Sequence, residues 1–320
     1  MESFVGIDIG GTSVKLGLIE YGGDQFRVVK QSSVPTLANE SPAVFVQTIA
    51  DGVKALIQAA GNPKVAGVGV GCPGLIDPWK GITRTSPNLP KLKEFPLRDR
   101  LSELLGLPVE LQNDANAAVL GEWIFSPASK GVNNMILLTL GTGVGGGVVC
   151  DGHLLVGADN AATELGHMKA EYNSDYPCGC GRKGCVEAYV GAAGITRTAQ
   201  LMIKSGAKTR LKSEKLTTKD IAQAATQGDE VAKQVLRKTG EYLGRGIAQL
   251  IEVFNPEKVV LGGGASAAIE FLMPGIQTAL DQFASFAFTR NRCKIERSAF
   301  PDDINVIGAA ATYVNAHRAK

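Results

Sequence analysis

Three of the six cysteines of the chain lie within one glycine-rich segment, residues 178–185. Cys178, Cys180 and Cys185 have C-x-C-x4-C spacing, and the glycines between them allow a short loop to fold around an ion. Tetrahedral zinc takes four nitrogen or sulfur ligands, so another segment must supply the fourth. His167 is the nearest of the three histidines in sequence and completes a predicted Cys3His zinc site. A redox or disulfide pair and simple core thiols are the alternatives.

Two carboxylates flank this predicted metal loop. Glu164 lies three residues before His167, and Glu187 lies two residues after Cys185. A carboxylate can accept hydrogen bonds from two neighbouring hydroxyl groups, which suits the recognition of a sugar. The alternative for both acids is that they are ordinary surface glutamates.

A third acidic residue stands in the segment QNDANAA, where a short strand at 108–112 is predicted to lead into a helix over 113–123. A hydroxyl is a poor nucleophile at its ordinary pKa, so group transfer to it needs a positioned base. Asp114 is the candidate, with helix N-capping as the alternative. Asn113 beside it could be a turn residue.

Three glycine turns, at 10–11, 141–147 and 262–264, each follow an apolar strand. Clustered backbone N–H groups in such turns bind anions such as phosphate, although a tight turn without a ligand explains many of them. We expect glycine there because it reaches positive φ and lets a ligand approach the backbone. Polar side chains accompany each turn, namely Asp8, Thr12, Thr139, Thr142 and Ser266.

The first two turns belong to segments with the same plan, FVGIDIGGTSVKLGLI at 4–19 and NMILLTLGTGVGGGVV at 134–149. Each reads as strand, glycine turn and strand, which predicts a duplicated domain. Strands at 64–71, 257–261 and around 293–298 alternate with helices. The predicted helices cover 42–60, 187–204, 218–226, 229–254, a segment from about 265, and 304–318. The polar segment 205–219 is predicted to be a surface loop.

Composition excludes several classes of protein. The 320 residues are 44% hydrophobic and 20% charged, which is typical of a folded globular chain. A net charge of +2 gives no basic surface for nucleic acid or anionic membranes. The N-terminal residues do not resemble a signal peptide, so we expect a cytoplasmic protein. Cys72, Cys150 and Cys293 are predicted to be small buried hydrophobes.

Taken together, DIGGTSVKLG, LGTGVGGG and VVLGGGAS resemble the two phosphate segments and the adenosine segment of actin-like ATPases and hexokinases. With GCPGLID, QNDANAA, ELGH and CGCGRKGCVE added, the chain resembles the ROK family of sugar kinases over essentially its whole length. The resemblance implies a two-domain actin-like ATPase fold, a duplicated ribonuclease H-like α/β architecture with an interdomain cleft. We expect a small domain over 1–117, completed by the helix 304–318, and a large domain over 118–303.

The resemblance also implies roles for individual residues. Asp114 would be the catalytic base, and Asp8 would hold Mg²⁺, unless it is only a turn carboxylate. The nucleotide ATP would be bound by Gly10, Gly11, Thr12, Lys15, Thr139, Gly141, Thr142, Gly143, Gly262, Gly263 and Gly264. The sugar would be bound by Gly74, Asn88, Asn113, Asp114, Glu164, His167 and Glu187.

Two positions depart from the family pattern. Many relatives have lysine directly after the first-turn threonine, whereas this chain has Ser13, with Lys15 two positions later. Lys15 could contact phosphate or could be a solvent-facing strand lysine. Relatives usually read Ala-Gly-Glu where this chain has Ala162-Thr163-Glu164, so Thr163 adds a branched side chain next to an expected sugar contact.

The activity implied is ATP-dependent phosphorylation of a hexose at its 6-hydroxyl, with glucose as the expected substrate and structural zinc. Relatives with the same motifs act on fructose, N-acetylglucosamine or N-acetylmannosamine, or use polyphosphate. Others are sugar-responsive DNA-binding repressors with an added N-terminal helix-turn-helix, whereas this chain enters its first phosphate strand at Phe4. We expect a homodimeric enzyme without a nucleic-acid or membrane partner, rather than a noncatalytic sugar sensor.

Overall fold

The computed structural model describes residues 1–23, 25–86, 88–212 and 215–317, which form two compact units. The first comprises 1–131, 154–163 and the C-terminal segment from Asp303, and the second comprises 132–153 and 164–302. The predicted boundary at residue 117 falls inside a helix that is continuous from Asp114 to Phe125, and the compact units divide after Gly131 instead.

The first unit contains a five-stranded sheet in the order β3-β2-β1-β4-β7 and a separate β5-β6 hairpin. Its strands are β1 (Glu2–Ile9), β2 (Ser13–Gly22), β3 (Gln25–Pro35), β4 (Val65–Cys72), β5 (Leu75–Asp77), β6 (Ile82–Thr85) and β7 (Val109–Asn113). Its first three helices are α1 (Pro42–Ala59), α2 (Leu97–Leu105) and α3 (Asp114–Phe125), followed by a 3₁₀ turn at Pro127–Ser129. The core lies between the sheet and α1 and α2, and includes Ile7, Leu16, Ile49, Val70 and Leu101.

The second unit contains a sheet in the order β10-β9-β8-β11-β12. Its strands are β8 (Met135–Leu140), β9 (Val144–Cys150), β10 (His153–Leu154), β11 (Lys258–Gly262) and β12 (Lys294–Arg297). Its helices are α4 (Val186–Val190), α5 (Ala192–Lys204), α6 (Thr218–Thr226), α7 (Glu230–Phe254), α8 (Ile269–Phe283) and α9 (Ala287–Arg292), with 3₁₀ turns at Leu165–His167 and Gly264–Ala268.

The two sheets share one topology, which confirms the predicted duplication. In the first unit β1 pairs antiparallel with β2 and parallel with β4. In the second unit β8 pairs antiparallel with β9 and parallel with β11. Each glycine turn between the hairpin strands therefore lies at the carboxyl end of a central strand, which is where α/β folds place their ligands.

The last helix, α10 (Ile304–Ala316), packs on the first unit's sheet at very short range. A Cβ atom added at Gly6 of β1 would lie 2.1 Å from the Val306 carbonyl oxygen, and one added at Gly69 of β4 would lie 1.8 Å from that of Ala309. No side chain fits in such a gap, so these buried strands carry glycine despite its low strand propensity. The close packing ties the C-terminal segment to β1 and β4.

Most predicted elements are confirmed, and local capping explains several of their ends. Ser41 accepts a hydrogen bond from the Val44 N–H group at 3.3 Å and starts α1. Thr217 and Asp220 form a capping box at the start of α6. At the end of α7, Asn255 takes a left-handed conformation with φ 45°.

Three expectations about the elements need correction. The predicted helix 187–204 is two helices, because Gly191 is extended where the Ala192 N–H group turns to the carbonyls of Gly141 and Thr142. The segment from residue 265 begins as a 3₁₀ turn before α8. Cys72 and Cys293 are buried as predicted, but Cys150 is exposed, because it is the last residue of β9. Two residues of the predicted 205–219 loop, Ser213 and Glu214, lie outside the described part of the chain.

No helix among the described residues is both long enough and apolar enough to cross a membrane.

Candidate active site

Two acidic side chains lie at the same edge of the first unit's sheet. Asp8 is near the end of β1, and Asp114 follows β7, with β4 pairing in parallel with both strands. The register aligns Asp8 with Gly71, and Gly71 with Gln112, so the two acids are separated by roughly 10 Å of sheet. The structure therefore brings together the residues predicted to hold Mg²⁺ and to act as base.

Burial makes both carboxylates harder to ionise. It raises the pKa of Asp8 from 3.8 to about 6, and the negative charge of Asp114 adds to the rise. The positive charge of Lys15 and a hydrogen bond from Asn305 act in the opposite direction. Burial also raises the pKa of Asp114, against a hydrogen bond from the Ala115 N–H group. Carboxylates held in this way suit a proton acceptor and a partner for a divalent cation.

The helix that begins at Asp114 has Asn113 as its N-cap. The Asn113 side-chain oxygen accepts from the N–H groups of Ala115 at 2.9 Å and Asn116 at 3.2 Å. Its amide nitrogen donates to the Gly74 carbonyl at 3.2 Å. The N-cap alternative for Asp114 is therefore wrong, and Asp114 occupies the first helical position. The Asn113 side chain also hydrogen-bonds to the Asp114 carboxylate, which opposes the rise that burial causes in the pKa of Asp114.

The first glycine turn connects β1 to β2. The Gly10 N–H group donates to the Ser13 carbonyl at 3.1 Å, and the Thr36 hydroxyl donates to the Gly10 carbonyl at 2.7 Å. A Cβ atom on Gly11 would meet nothing closer than the Asn88 side chain, at 3.9 Å. The predicted phosphate turn and the predicted sugar residue Asn88 are therefore neighbours within the first unit.

Lys15 and Gly74 also lie at this edge. Lys15 is the cross-strand partner of Asp8, so its ammonium group faces the same side of the sheet. Gly74 has φ +96°, and a Cβ atom there would lie 2.4 Å from the Thr85 carbonyl oxygen. Glycine is thus required at 74 for its backbone conformation.

The second and third glycine turns are adjacent within the second unit. Thr139 of β8 pairs with Gly262 of β11. Gly263 has φ +77°, and a Cβ atom on it would lie 2.5 Å from the Leu140 carbonyl oxygen. The Ser266 hydroxyl closes this turn by donating to the Gly263 carbonyl at 2.7 Å. The sheet register therefore places the predicted phosphate and adenosine segments side by side.

The glycines of these turns agree with only one part of the expectation, because most of them do not have a positive φ. Among Gly10, Gly11, Gly141, Gly143 and the 262–264 glycines, only Gly263 has a positive φ. A Cβ atom at Gly141 or Gly264 would meet no protein atom within 4 Å. Close approach of a ligand to an open backbone, rather than a left-handed conformation, is what glycine permits there.

The predicted metal ligands come together in the second unit. The ligand atoms of His167, Cys178, Cys180 and Cys185 all lie within 4.8 Å of one another. The Sγ atoms of Cys180 and Cys185 are 3.8 Å apart, and Cys178 Sγ is 3.4 Å from Nδ1 of His167. Zn–S bonds of about 2.3 Å and Zn–N bonds of about 2.0 Å would set tetrahedral edges of about 3.8 Å and 3.6 Å. The four residues therefore fit a zinc ion.

The chemistry of these donors agrees with their geometry. Burial raises the pKa of the Cys178 and Cys185 thiols, so neither thiolate is favoured without a nearby cation. A coordinated zinc ion deprotonates such thiols outright. Nδ1 of His167 faces the cysteines, and its Nε2 lies 3.9 Å from Glu164 Oε2. One ring nitrogen is thus directed toward the metal ligands and the other toward a predicted sugar residue.

The two flanking glutamates have different surroundings. The Glu164 side chain is 70% exposed, and its Oε2 lies 3.9 Å from Nε2 of His167. Glu187 Oε2 accepts a hydrogen bond from the Val144 N–H group at 3.1 Å, and its Oε1 lies 3.1 Å from Cys178 Sγ. The surface-glutamate alternative is therefore wrong for Glu187, whose carboxylate contacts both the metal loop and the second glycine turn.

Thr163 has an unusual backbone conformation, with φ 67°. This region is costly for a β-branched residue, by about 1–3 kcal/mol. The hydroxyl lies 2.6 Å from the Ala162 carbonyl and 3.2 Å from the side-chain amide of Asn116. A hydroxyl donates one hydrogen, so it donates to Ala162 and accepts from the Asn116 amide group when that amide is oriented with its nitrogen inward. These bonds hold Thr163 in its strained conformation.

Sequence reasoning missed two residues that shape this region. The Thr36 hydroxyl donates a hydrogen bond to the Gly10 carbonyl in the first turn, and Asn305 of α10 hydrogen-bonds to Asp8. Neither residue belongs to a recognisable motif, and both lie far from their partners in sequence. Only the packing of β3 and α10 on the first unit reveals them.

Comparison with known proteins agrees with this arrangement. The ROK family model matches residues 4–315. The chain is 35% identical to the glucokinase of Halalkalibacterium halodurans over 95% of this chain and 93% of that protein. It is also 35% identical to the glucokinase of Thermotoga maritima, over 96% of each chain.

Solved structures include both kinases and a regulator. A ROK family glucokinase from Streptomyces griseus, in complex with glucose and AMPPNP, matches with a TM-score of 0.79 and 29% identity, over 96% of this chain and 98% of that one. A ROK family transcriptional regulator, a homologue of the E. coli MLC protein, matches with a TM-score of 0.86 and 29% identity, over 97% of this chain and 77% of that one. The fold is the actin-like ATPase fold of the sugar kinases, and the chain belongs to the ROK family.

Proposed function

We propose that this protein transfers the γ-phosphoryl group of ATP to the 6-hydroxyl of a hexose, with glucose as the preferred acceptor. The observation that carries the proposal is the pair of buried carboxylates, Asp8 and Asp114, beside the first glycine turn. Phosphoryl transfer needs a hydroxyl base and a site for a phosphate-bound cation, and two such carboxylates offer both.

Asp114 is the proposed base. Burial raises its pKa, which makes its carboxylate a better proton acceptor than an exposed aspartate. Because Asn113 caps the helix, the Asp114 side chain keeps an oxygen available for a sugar hydroxyl. In the proposed reaction it accepts the proton of the 6-hydroxyl as that oxygen forms its bond to the γ-phosphorus and the bond to ADP breaks.

The open turns at Gly11, Gly141 and Gly264 are the proposed nucleotide contacts, since the backbone there is free of neighbouring side chains. Asp8 would hold Mg²⁺, through water where the ion keeps its hydration shell, and the ion would neutralise charge on the transferred phosphate. Lys15, opposite Asp8, is proposed to add positive charge at the same edge.

Glucose is proposed as the acceptor because the glucokinases of H. halodurans and T. maritima align with nearly the whole chain. Asn88, Asn113, Glu164, His167 and Glu187 are the proposed sugar contacts, with Gly74 shaping the backbone beside Asn113. The zinc ion would be structural, keeping His167 and the metal loop in one arrangement for the sugar. Fructose and N-acetylated hexosamines are the competing acceptors, and polyphosphate is the competing phosphoryl donor.

A second candidate is a sugar-responsive regulator, favoured by the TM-score of 0.86 to the MLC homologue. The two functions differ in what a bound sugar does. A kinase turns it over with Mg-ATP, whereas a regulator binds it without releasing ADP.

The deciding experiment measures ADP release with Mg-ATP across a panel of hexoses, for the wild type and for Asp114→Asn. We expect turnover with glucose and a loss of several powers of ten in kcat for the variant, because the amide cannot accept the proton. Circular dichroism and glucose binding should be unchanged.

Near-normal turnover of Asp114→Asn would remove the residue from its proposed role. Turnover confined to another hexose would keep the mechanism and change the substrate. No turnover with any hexose or with polyphosphate, together with tight glucose binding, would favour the regulator.

A further inference from the structure

The metal loop and the second glycine turn are joined by one side chain, Glu187. Its Oε2 accepts a hydrogen bond from the N–H group of Val144, which follows Gly143 and begins β9, at 3.1 Å. Its Oε1 lies 3.1 Å from Sγ of Cys178. Family resemblance assigns Glu187 only to the sugar, whereas half of its carboxylate is engaged by the backbone of the turn.

The turn is built around this carboxylate. A Cβ atom on Gly143 would lie 2.3 Å from Glu187 Oε2, a separation that no real side chain accepts. Gly143 does not have a positive φ, so its backbone conformation does not demand glycine. A methyl group at position 143 would therefore push the Glu187 carboxylate away from the turn.

Backbone contacts from the same segment hold the other side of the turn. The Ala192 N–H group donates to the carbonyls of Gly141 at 3.1 Å and Thr142 at 3.3 Å. The Gly191 N–H group in turn donates to the Glu187 carbonyl at 2.9 Å. The segment that includes α4 and the start of α5 thus hydrogen-bonds to the carbonyls of Gly141 and Thr142 and to the N–H group of Val144.

Removing the Glu187 carboxylate would leave the Val144 N–H group without this acceptor in a residue that is only 6% exposed. An unsatisfied buried N–H group is costly, so the turn would rearrange. Negative charge near bound phosphates is itself unfavourable, which means that the carboxylate helps a nucleotide only by fixing the backbone. A neutral side chain with the same oxygen should serve equally well.

We propose that Glu187 is a positioning residue for the nucleotide-phosphate turn 141–143 and that it couples the metal loop to nucleotide binding. This inference rests on the proposed kinase function. It extends that function because damage at Glu187 should weaken the nucleotide in the absence of any sugar.

The test is calorimetric binding of Mg-AMPPNP without sugar, to the full-length zinc-loaded protein. We expect Glu187→Ala to raise the Kd at least about tenfold, since one buried hydrogen bond is lost. Glu187→Gln keeps an oxygen for the Val144 N–H group and should stay within about threefold of wild type. Glu164→Ala is the matched control, because Glu164 is also a proposed sugar residue but is directed toward His167 and not toward the turn.

Glucose binding separates the two roles. Glu164→Ala and Glu187→Ala should both weaken glucose, but only Glu187→Ala should weaken AMPPNP. Gly143→Ala provides a second variant that leaves Glu187 and the metal ligands unmutated, while its methyl group must displace Glu187 Oε2 from the turn. It should weaken AMPPNP with its zinc content, measured by mass spectrometry, unchanged.

Wild-type AMPPNP affinity in both Glu187→Ala and Gly143→Ala would overturn the inference. Equal losses in Glu187→Ala and Glu187→Gln would also overturn it, because charge rather than the hydrogen bond would then matter. Failure of the wild type to bind AMPPNP at all would overturn the proposed function, and this inference with it.

Discussion

Replacing Asp8 by asparagine should make the protein more stable while abolishing its activity. Burial raises the pKa of Asp8 from 3.8 to about 6. Above pH 6 the folded protein must keep this carboxylate charged, which lowers the free energy of unfolding. One pKa unit corresponds to about 1.4 kcal/mol, and the cost is therefore about 3 kcal/mol at pH 7 in the absence of a divalent cation.

The sign of the pH dependence follows from proton binding. Between pH 4 and pH 6 the folded protein binds more protons at Asp8 than the unfolded chain, whose carboxyl has the usual 3.8. The free energy of unfolding therefore falls as the pH rises through this window. The penalty is absent below pH 3.8 and complete above pH 6, and Asp8→Asn should remove it.

Urea unfolding with EDTA, followed by circular dichroism, measures the effect. At pH 7 we expect Asp8→Asn to raise the free energy of unfolding by about 1–3 kcal/mol, because the pKa of about 6 already includes the opposing attraction of Lys15. At pH 4 the gain should nearly vanish. The reasoning is refuted if the variant is no more stable than the wild type at pH 7, or if its gain is the same at both pH values.

A matched control in the same unit should show the opposite sign. The Lys80 N–H group and the Arg84 guanidinium lower the pKa of Asp77, so its charged form is favoured in the folded protein. Asp77→Asn should therefore lower the stability at pH 7. The comparison separates the effect of burying a charge at Asp8 from any general effect of an Asp-to-Asn change.

Two further perturbations test the metal site and the strained residue. Cys180→Ser should lose zinc, thermal stability and glucose affinity together. Mass spectrometry, the melting temperature and calorimetry measure these three losses. A fully active protein without zinc would contradict a structural role for the metal. Thr163→Val should lower the free energy of unfolding by about 1–2 kcal/mol, because it keeps the strained φ of 67° but loses the hydroxyl bonds to Ala162 and Asn116. Thr163→Gly relieves the strain and should cost less than Thr163→Val in the same urea experiment, so a larger loss for glycine would show that the strain is not real.

Most features of the site that could be predicted were predicted from contiguous sequence motifs. The Cys3His ligand set follows from short spacings and from the small number of histidines, and the structure brings the four residues within 4.8 Å of one another. The glycine turns follow from apolar strands that end in glycine, and the duplicated plan of 4–19 and 134–149 predicts the matching sheet topologies. Such signals lie within short segments, so they can be recognised without knowledge of the fold.

Weakly patterned elements could not be predicted in this way. Strand β3 lies at the end of its sheet beside β2 and is mostly exposed, so it lacks a clear alternation of buried and exposed residues. Helix α2 is short and rich in charged residues, and its end is set by Gly106 in a left-handed conformation with φ 65°. Neither element has the long apolar periodicity on which sequence reasoning depends.

The residue types at the site were thus determined by the sequence, whereas their working environment was decided by tertiary structure. The raised pKa of Asp8 depends on burial and on contacts with Asp114, Lys15 and Asn305, which come from separate segments. Gly143 has as its neighbour in space the carboxylate of Glu187, which lies 44 positions further along the chain. Burial, charge proximity and steric exclusion depend on distances in space, and a linear sequence does not specify those distances until the chain has folded.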